Sequence, residues 1–167
     1  MQIKSSGIKN GKIDAKYGKH GNDKNKNGMP TYSLPFVIEN PPEGTKTFAV
    51  VLEDKDAYPV TKGFTWIHWL AANLTRHELK ENESQNAKDF VQGANSWMSL
   101  QGGNQSRELS SFYGGMAPPD TPHTYELHVF ALDTTLKLQN GFYLNELYKE
   151  MENHILAQAT LKGMYNN

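Results

Sequence analysis

The chain has 167 residues, a formal net charge of −1 and no cysteine. Its length suits one domain of about 100–200 residues with a sizeable core, and 37% hydrophobic with 11% aromatic content describes a globular chain. The near-zero charge gives no general attraction to nucleic acid or anionic membranes, and the missing cysteines exclude disulfides, thiolate metal sites and cysteine nucleophiles.

No apolar stretch approaches the roughly 18 residues that a membrane-spanning helix needs, and "MQIKSSGIKNGKIDAKYG" at the start has no hydrophobic signal core. A cytoplasmic protein is the expectation. Seven lysines against three acids crowd residues 1–40; around "KHGNDKNKNG" they read as solvated loop charges.

In chain order, "SLPFVIEN" (33–40) reads as a strand closed by the turn "PPEGT". "KTFAVVLED" (46–54) is a near-continuous apolar run of strand length, expected to be buried on both faces. "GFTWIHWLAANL" (63–74) and "TYELHVFALD" (124–133) are further strands rich in aromatic and β-branched residues. A short helix or turn is expected near 75–82, and 91–111 has the composition of a long loop. Leu144, Leu147, Tyr148, Met151 and Ile155 fall at helical spacing, and Thr160–Tyr165 reads as a last short strand. Strands thus dominate the first 133 residues, with connections too short for βαβ units: all-β with helical additions, or α+β.

Three strand ends carry side chains able to do chemistry. Alternation places His123 and Tyr125 on one face, and Trp66 and His68 on one face together with Phe64 and Leu70. Asp54 and Asp56 are likewise spaced by two at a strand exit. Before His123 runs "YGGMAPPDTP", in which Gly114 and Gly115 permit close backbone approach or positive φ, while Pro118 and Pro119 stiffen the loop. Such a rim can turn backbone N–H groups inward to hold an anion.

"PPEGTKTFAVVLEDKDA", "FTWIHWLAANL", "VQGANSW", "YGGMAPPDTPHTYELHVFALD" and "HILAQATLKGMY" follow one another in an order that resembles the phosphatidylethanolamine-binding protein family. This family is also called the Raf kinase inhibitor protein family; the likeness is to its small bacterial branch. The family signature is Asp-Pro-Asp-Ala-Pro, then Trp-x-His, then a Gly-Pro-rich loop ending in His-Arg-Tyr.

The resemblance implies a mainly β fold in a single domain over residues 1–167. A large antiparallel sheet faces a smaller one in a β-sandwich-like core, with short helices near the C-terminus. It also implies a small anion pocket formed by Asp54, Asp56, Trp66, His68, Gly115, His123 and Tyr125. Its expected ligands are phosphate, a phosphorylated small molecule or a phospholipid head group. The function implied is binding without catalysis and without a cofactor. The alternative is a protein-interaction module that inhibits a kinase or protease through the same pocket; a homodimer is compatible with either. Lys55, Tyr58, Met116, Ala117 and Thr124 depart from the family pattern.

Other chemistries fit less well. Asp54, His68 and His123 would suit a metal by ligand type but sit in no compact metal motif, and "HELKE" (77–81) has Glu where a zincin needs its second histidine. There is no G-x-S-x-G elbow, and the Gly-rich loop enters a strand rather than a helix, unlike nucleotide-binding loops. Basic and aromatic residues do not interleave as on a nucleic-acid platform.

Overall fold

The computed structural model describes residues 1–167. Ten strands and three short helices occur in the order β1 (Gln2–Lys4), β2 (Ile8–Lys9), β3 (Lys12–Ile13), β4 (Phe36–Glu39), β5 (Thr47–Asp54), α1 (Tyr58–Thr61), β6 (Trp66–Leu74), β7 (Glu78–Leu79), β8 (Val91–Gly93), α2 (Arg107–Ser110), β9 (His123–Leu132), α3 (Leu144–Met151) and β10 (Ile155–Tyr165). Seven strands form one sheet in the order β2-β3-β10-β9-β5-β6-β8, and β1-β4-β7 form a smaller one. Pairing between the strands is antiparallel except for β10 with β3, which meet in parallel at Met164 and Lys12.

The apolar run 47–54 becomes the central strand β5, buried along its whole length. Phe48, Val50 and Leu52 pack into the core shared with the small sheet, together with Phe36, Ile38 and Leu79. Ala49 and Val51 face the other way, into a second core closed by Leu147 and Met151 of α3. Alternation on a strand covered on both faces therefore fills two apolar layers.

Four expectations are refined or overturned. Residues 75–82 take the turn rather than the helix, with bends at 76–77 and a turn at 81–82, and add β7, whose pairing with β4 places Leu79 opposite Phe36. Residues 91–111 are more structured than a loop, holding β8, two 3₁₀ turns and α2. Ile155 continues the helical spacing but opens β10, because Asn153 adopts positive φ (65°) just after α3 and turns the chain. Helices also occur well before the C-terminus, at α1 and α2.

A further change bears on the site. Between β5 and β6, Leu52 pairs with Trp69 but Glu53 pairs with Ile67, so His68 is an extra residue in the ladder. Such a bulge resets alternation. Trp69 and Ala71 enter the inter-sheet core, whereas Leu70 and Ala72 enter the α3 layer. Leu70 therefore does not share a face with His68, contrary to simple alternation.

Candidate functional site

Asp54 ends β5 and pairs in register with both Tyr125 on β9 and Trp66 on β6. Three strand ends thus meet at one point. A cavity of about 180 Å³ opens there, lined by Asp54, Trp66, His68 and Tyr125 from the strands. Its remaining walls are Ala57 and Val60 around α1, Trp97 and Gln101 from the 96–102 turns, and Ala117 and Pro119 from the proline loop. A wider, more polar cleft of about 840 Å³ lies between residues 85–92, α2 and residues 137–146, and contains none of the residues singled out above.

Unpaired polar atoms favour the smaller cavity. Buried polar groups almost always find a partner, yet His68 Nε2, Trp97 Nε1 and the Tyr125 hydroxyl are buried without one. All three belong to residues lining this cavity. Of the two others, Gln85 Nε2 belongs to a residue lining the larger cleft and Ser110 Oγ lies on α2.

His68 is oriented by the glycine loop. Its Nδ1 lies 2.6 Å from the Gly114 carbonyl oxygen, while the Gly114 N–H donates to the His68 carbonyl at 2.8 Å. A carbonyl only accepts, so Nδ1 carries the proton and Nε2 of the neutral ring bears a lone pair. Burial pushes the His68 pKa down, opposed by the Asp54 charge and the Gly114 carbonyl. The Tyr125 phenol is pushed up, by burial first and then by the Asp54 charge; it stays a neutral hydrogen-bond donor.

His123 lies beside the cavity and does not line it. Its Nδ1 is 2.7 Å from Asp54 Oδ2 and its Nε2 is 2.9 Å from Asp120 Oδ1. Burial opposes its charging, but hydrogen bonding and charge from the two carboxylates outweigh that and raise its pKa. Asp54 Oδ1 accepts the N–H groups of Asp56 (2.9 Å) and Ala57 (3.2 Å), which shapes the turn into α1. Asp54 therefore orients His123, while it acts on His68 through its charge alone.

Asp56 and Gly115 also lie outside the lining. Asp56 is exposed and accepts the Thr124 N–H at 2.8 Å, fastening the start of β9. Gly115 donates its N–H to the Pro30 carbonyl at 2.8 Å, and a side chain there would strike the Tyr17 carbonyl oxygen and Pro30. Both loop glycines thus serve close packing, without positive φ, and both N–H groups are spent on the fold rather than turned into the cavity. The lysine-rich N-terminal segment buttresses this loop: Lys19 N–H donates to the Met116 carbonyl (2.7 Å) and its Nζ to the Pro118 carbonyl (2.6 Å).

Several participants escape a reading by motif. Trp97, Gln101, Ala57, Val60, Ala117 and Pro119 supply walls, and Asp120 supplies the second partner of His123. Only Asp120 had an available signal, an acid three residues before a histidine. As to metals, Asp54, His68 and His123 do not converge as one ligand set. Glu53, Glu126 and His128 do, on the α3 side of β5 and β9. There Lys55 and Lys162 already bind the Glu126 carboxylate, at 2.8 Å each, and Lys55 reaches Glu53 at 3.2 Å.

No helix is long and apolar enough to cross a membrane. A family model described as phosphatidylethanolamine-binding protein matches residues 4–166. The Bacillus subtilis protein YxkA is 45% identical over 151 residues, spanning 88% of this chain and 89% of its own length. A Chlamydia muridarum protein is 33% identical over 134 residues, spanning 80% and 81%. Among solved structures, CT736 of Chlamydia trachomatis, described as a homologue of the phosphatidylethanolamine-binding proteins, is 29% identical with a TM-score of 0.79, covering 99% of this chain and 97% of that one. Escherichia coli YbcL shares the fold, with a TM-score of 0.75 at 23% identity over 99% and 98% of the two chains. The sheet order, the motif order and these matches agree: the chain belongs to the phosphatidylethanolamine-binding protein family.

Proposed function

We propose that the cavity binds a small oxyanion, a phosphate or the phosphate of a phospholipid head group, without catalysing a reaction on it. The supporting observation is that three residues lining one small cavity each hold a buried polar atom without a partner. Tyr125 O–H and Trp97 Nε1–H are donors suited to phosphate oxygens. His68 Nε2 accepts from a protonated phosphate oxygen, or takes a proton and donates. At about 180 Å³ the cavity falls below the roughly 300–1,000 Å³ of sites for drug-sized ligands, which suits a phosphate or a head group.

Asp54 disfavours a multiply charged anion and favours a zwitterion whose amine approaches its carboxylate. Calorimetry with inorganic phosphate and with glycerophosphoethanolamine tests the reading. Saturable binding is expected, weakened about tenfold or more in Tyr125→Phe, the worth of a hydrogen bond to a charged group. Absence of binding by both ligands at millimolar concentration contradicts it.

One observation favours protein interaction as a second reading. Tyr58, Val60, Phe64 and Leu100 are exposed apolar side chains, Leu100 to 83%, and all sit on the two segments that supply the cavity walls around α1 and residues 96–102. An apolar collar beside an anion pocket suits a partner that presents a phosphorylated or acidic group. A kinase or protease partner displaced by free phosphate, and weakened by Leu100→Asp while phosphate affinity is unchanged, supports that reading; a partner indifferent to both contradicts it.

A further inference from the structure

His123 is 1% exposed and has both ring nitrogens on carboxylates, one from each side of the cavity. Asp54 Oδ1 accepts two backbone N–H groups, and Asp120 Oδ1 accepts the Thr121 N–H. Both acids thus already serve as acceptors of backbone N–H groups. With both carboxylates accepting from the ring as well, both imidazole nitrogens donate. The observed geometry is that of an imidazolium between two carboxylates, and it leaves no N–H for a third partner.

The two carboxylates belong to different walls. Asp54 fixes the turn into α1, which brings Ala57 and Val60 to the cavity. Asp120 follows directly on Pro119, which with Ala117 forms the opposite rim. We infer that His123 is a charged strut that ties these two walls together, a positioning residue rather than a contact for the ligand. The groups facing it are Asp54 from β5, Asp120 from the rim, Tyr125 two residues along β9 and Tyr165 in register on β10. His68 from β6 acts against its charge, and Asp56 holds the neighbouring Thr124 N–H.

Loss of one proton leaves His123 a single donor. The buried Asp54 cannot be solvated in its place, so the exposed Asp120 is the partner released. The rim then keeps the Lys19 bond to Pro118 and the Asn167 bond to the Asp120 carbonyl, and loses its tie to Asp54. Raising the pH through the His123 pKa therefore loosens the rim at Ala117, Asp120 and Thr121. The charged population of the strut falls about tenfold per pH unit beyond that point.

The test uses ligand-free protein, so it stands or falls separately from phosphate binding. Long-range ¹H–¹⁵N spectra follow the His123 ring, and hydrogen exchange, normalised for the intrinsic pH dependence, follows the amides of Ala117, Asp120 and Thr121. Expected are an imidazolium persisting above the ordinary histidine value of about 6.5, and rim protection that falls as it titrates. In Asp120→Asn, whose side-chain oxygen still accepts but carries no charge, both transitions move together to lower pH. A neutral His123 ring at pH 6.5, or rim protection unchanged across its titration, overturns the inference. So does an Asp120→Asn variant that leaves both transitions in place.

Discussion

The 2.6 Å contact between His68 Nδ1 and the Gly114 carbonyl oxygen decides what the cavity presents to a ligand. It holds the Nδ1 proton, so that Nε2 meets the cavity as an acceptor when neutral and as a cationic donor when protonated. The bulge at His68 makes this possible, by turning that side chain and Trp69 toward the same side of the sheet.

Affinity for a phosphate diester follows from this arrangement. Burial lowers the His68 pKa in the free protein, and a bound anion raises it. Binding a ligand of fixed charge therefore takes up a proton above the free value. Calorimetry of glycerophosphoethanolamine from pH 5.5 to 8.5 should show affinity falling with pH by up to about tenfold per unit, an effect absent in His68→Gln. A diester avoids the monoester's own titration near pH ~6. His123 contributes no such slope until it titrates, since its pKa is raised.

Gly115→Ala should destabilise the protein although Gly115 touches no ligand. The new methyl group meets the Tyr17 carbonyl oxygen, Pro30 and Gly18, and the backbone cannot easily yield because Gly115 N–H is bonded to Pro30. Overpacking of this kind costs about 1–3 kcal/mol, and thermal denaturation should show a midpoint lowered by roughly 2–4 °C per kcal/mol. Gly103→Ala is the contrast: nothing crowds that position, so its cost comes only from positive φ.

Much of this was legible in the chain. Continuous burial of 47–54 and the three strand ends follow from apolar patterning, and the order of motifs points to the family. Patterning failed where one residue changes the count: the extra residue at His68 reversed the facing of Leu70. Asn153 likewise cut Ile155 from the helix whose spacing it continues. The walls from Trp97, Gln101 and Val60 were not legible, because single apolar residues in turns carry no periodicity and are brought together only by the tertiary fold. The division of labour between the histidines was also hidden, since it depends on Asp120 reaching back to His123.

On the far side of the large sheet, Lys162 and Lys55 hold the Glu126 carboxyl down to about 2. A depressed carboxylate stabilises the fold above its unfolded value of about 4.3, and that contribution is lost as pH falls through the folded value. Stability from this network should therefore decline between about pH 4.3 and 2. In Glu126→Gln, denaturant titrations should show less loss over this window; an unchanged acid profile would mean that the lysines do not hold Glu126 in solution.

The most direct measurement follows the ring nitrogens of both histidines while glycerophosphoethanolamine is added at pH 6.5. If the cavity holds the phosphate as described, His68 Nε2 shifts saturably toward its protonated position. The His123 nitrogens, already donating to Asp54 and Asp120, stay at their imidazolium positions. A ligand that leaves His68 unmoved, or that shifts His123 instead, would contradict the account.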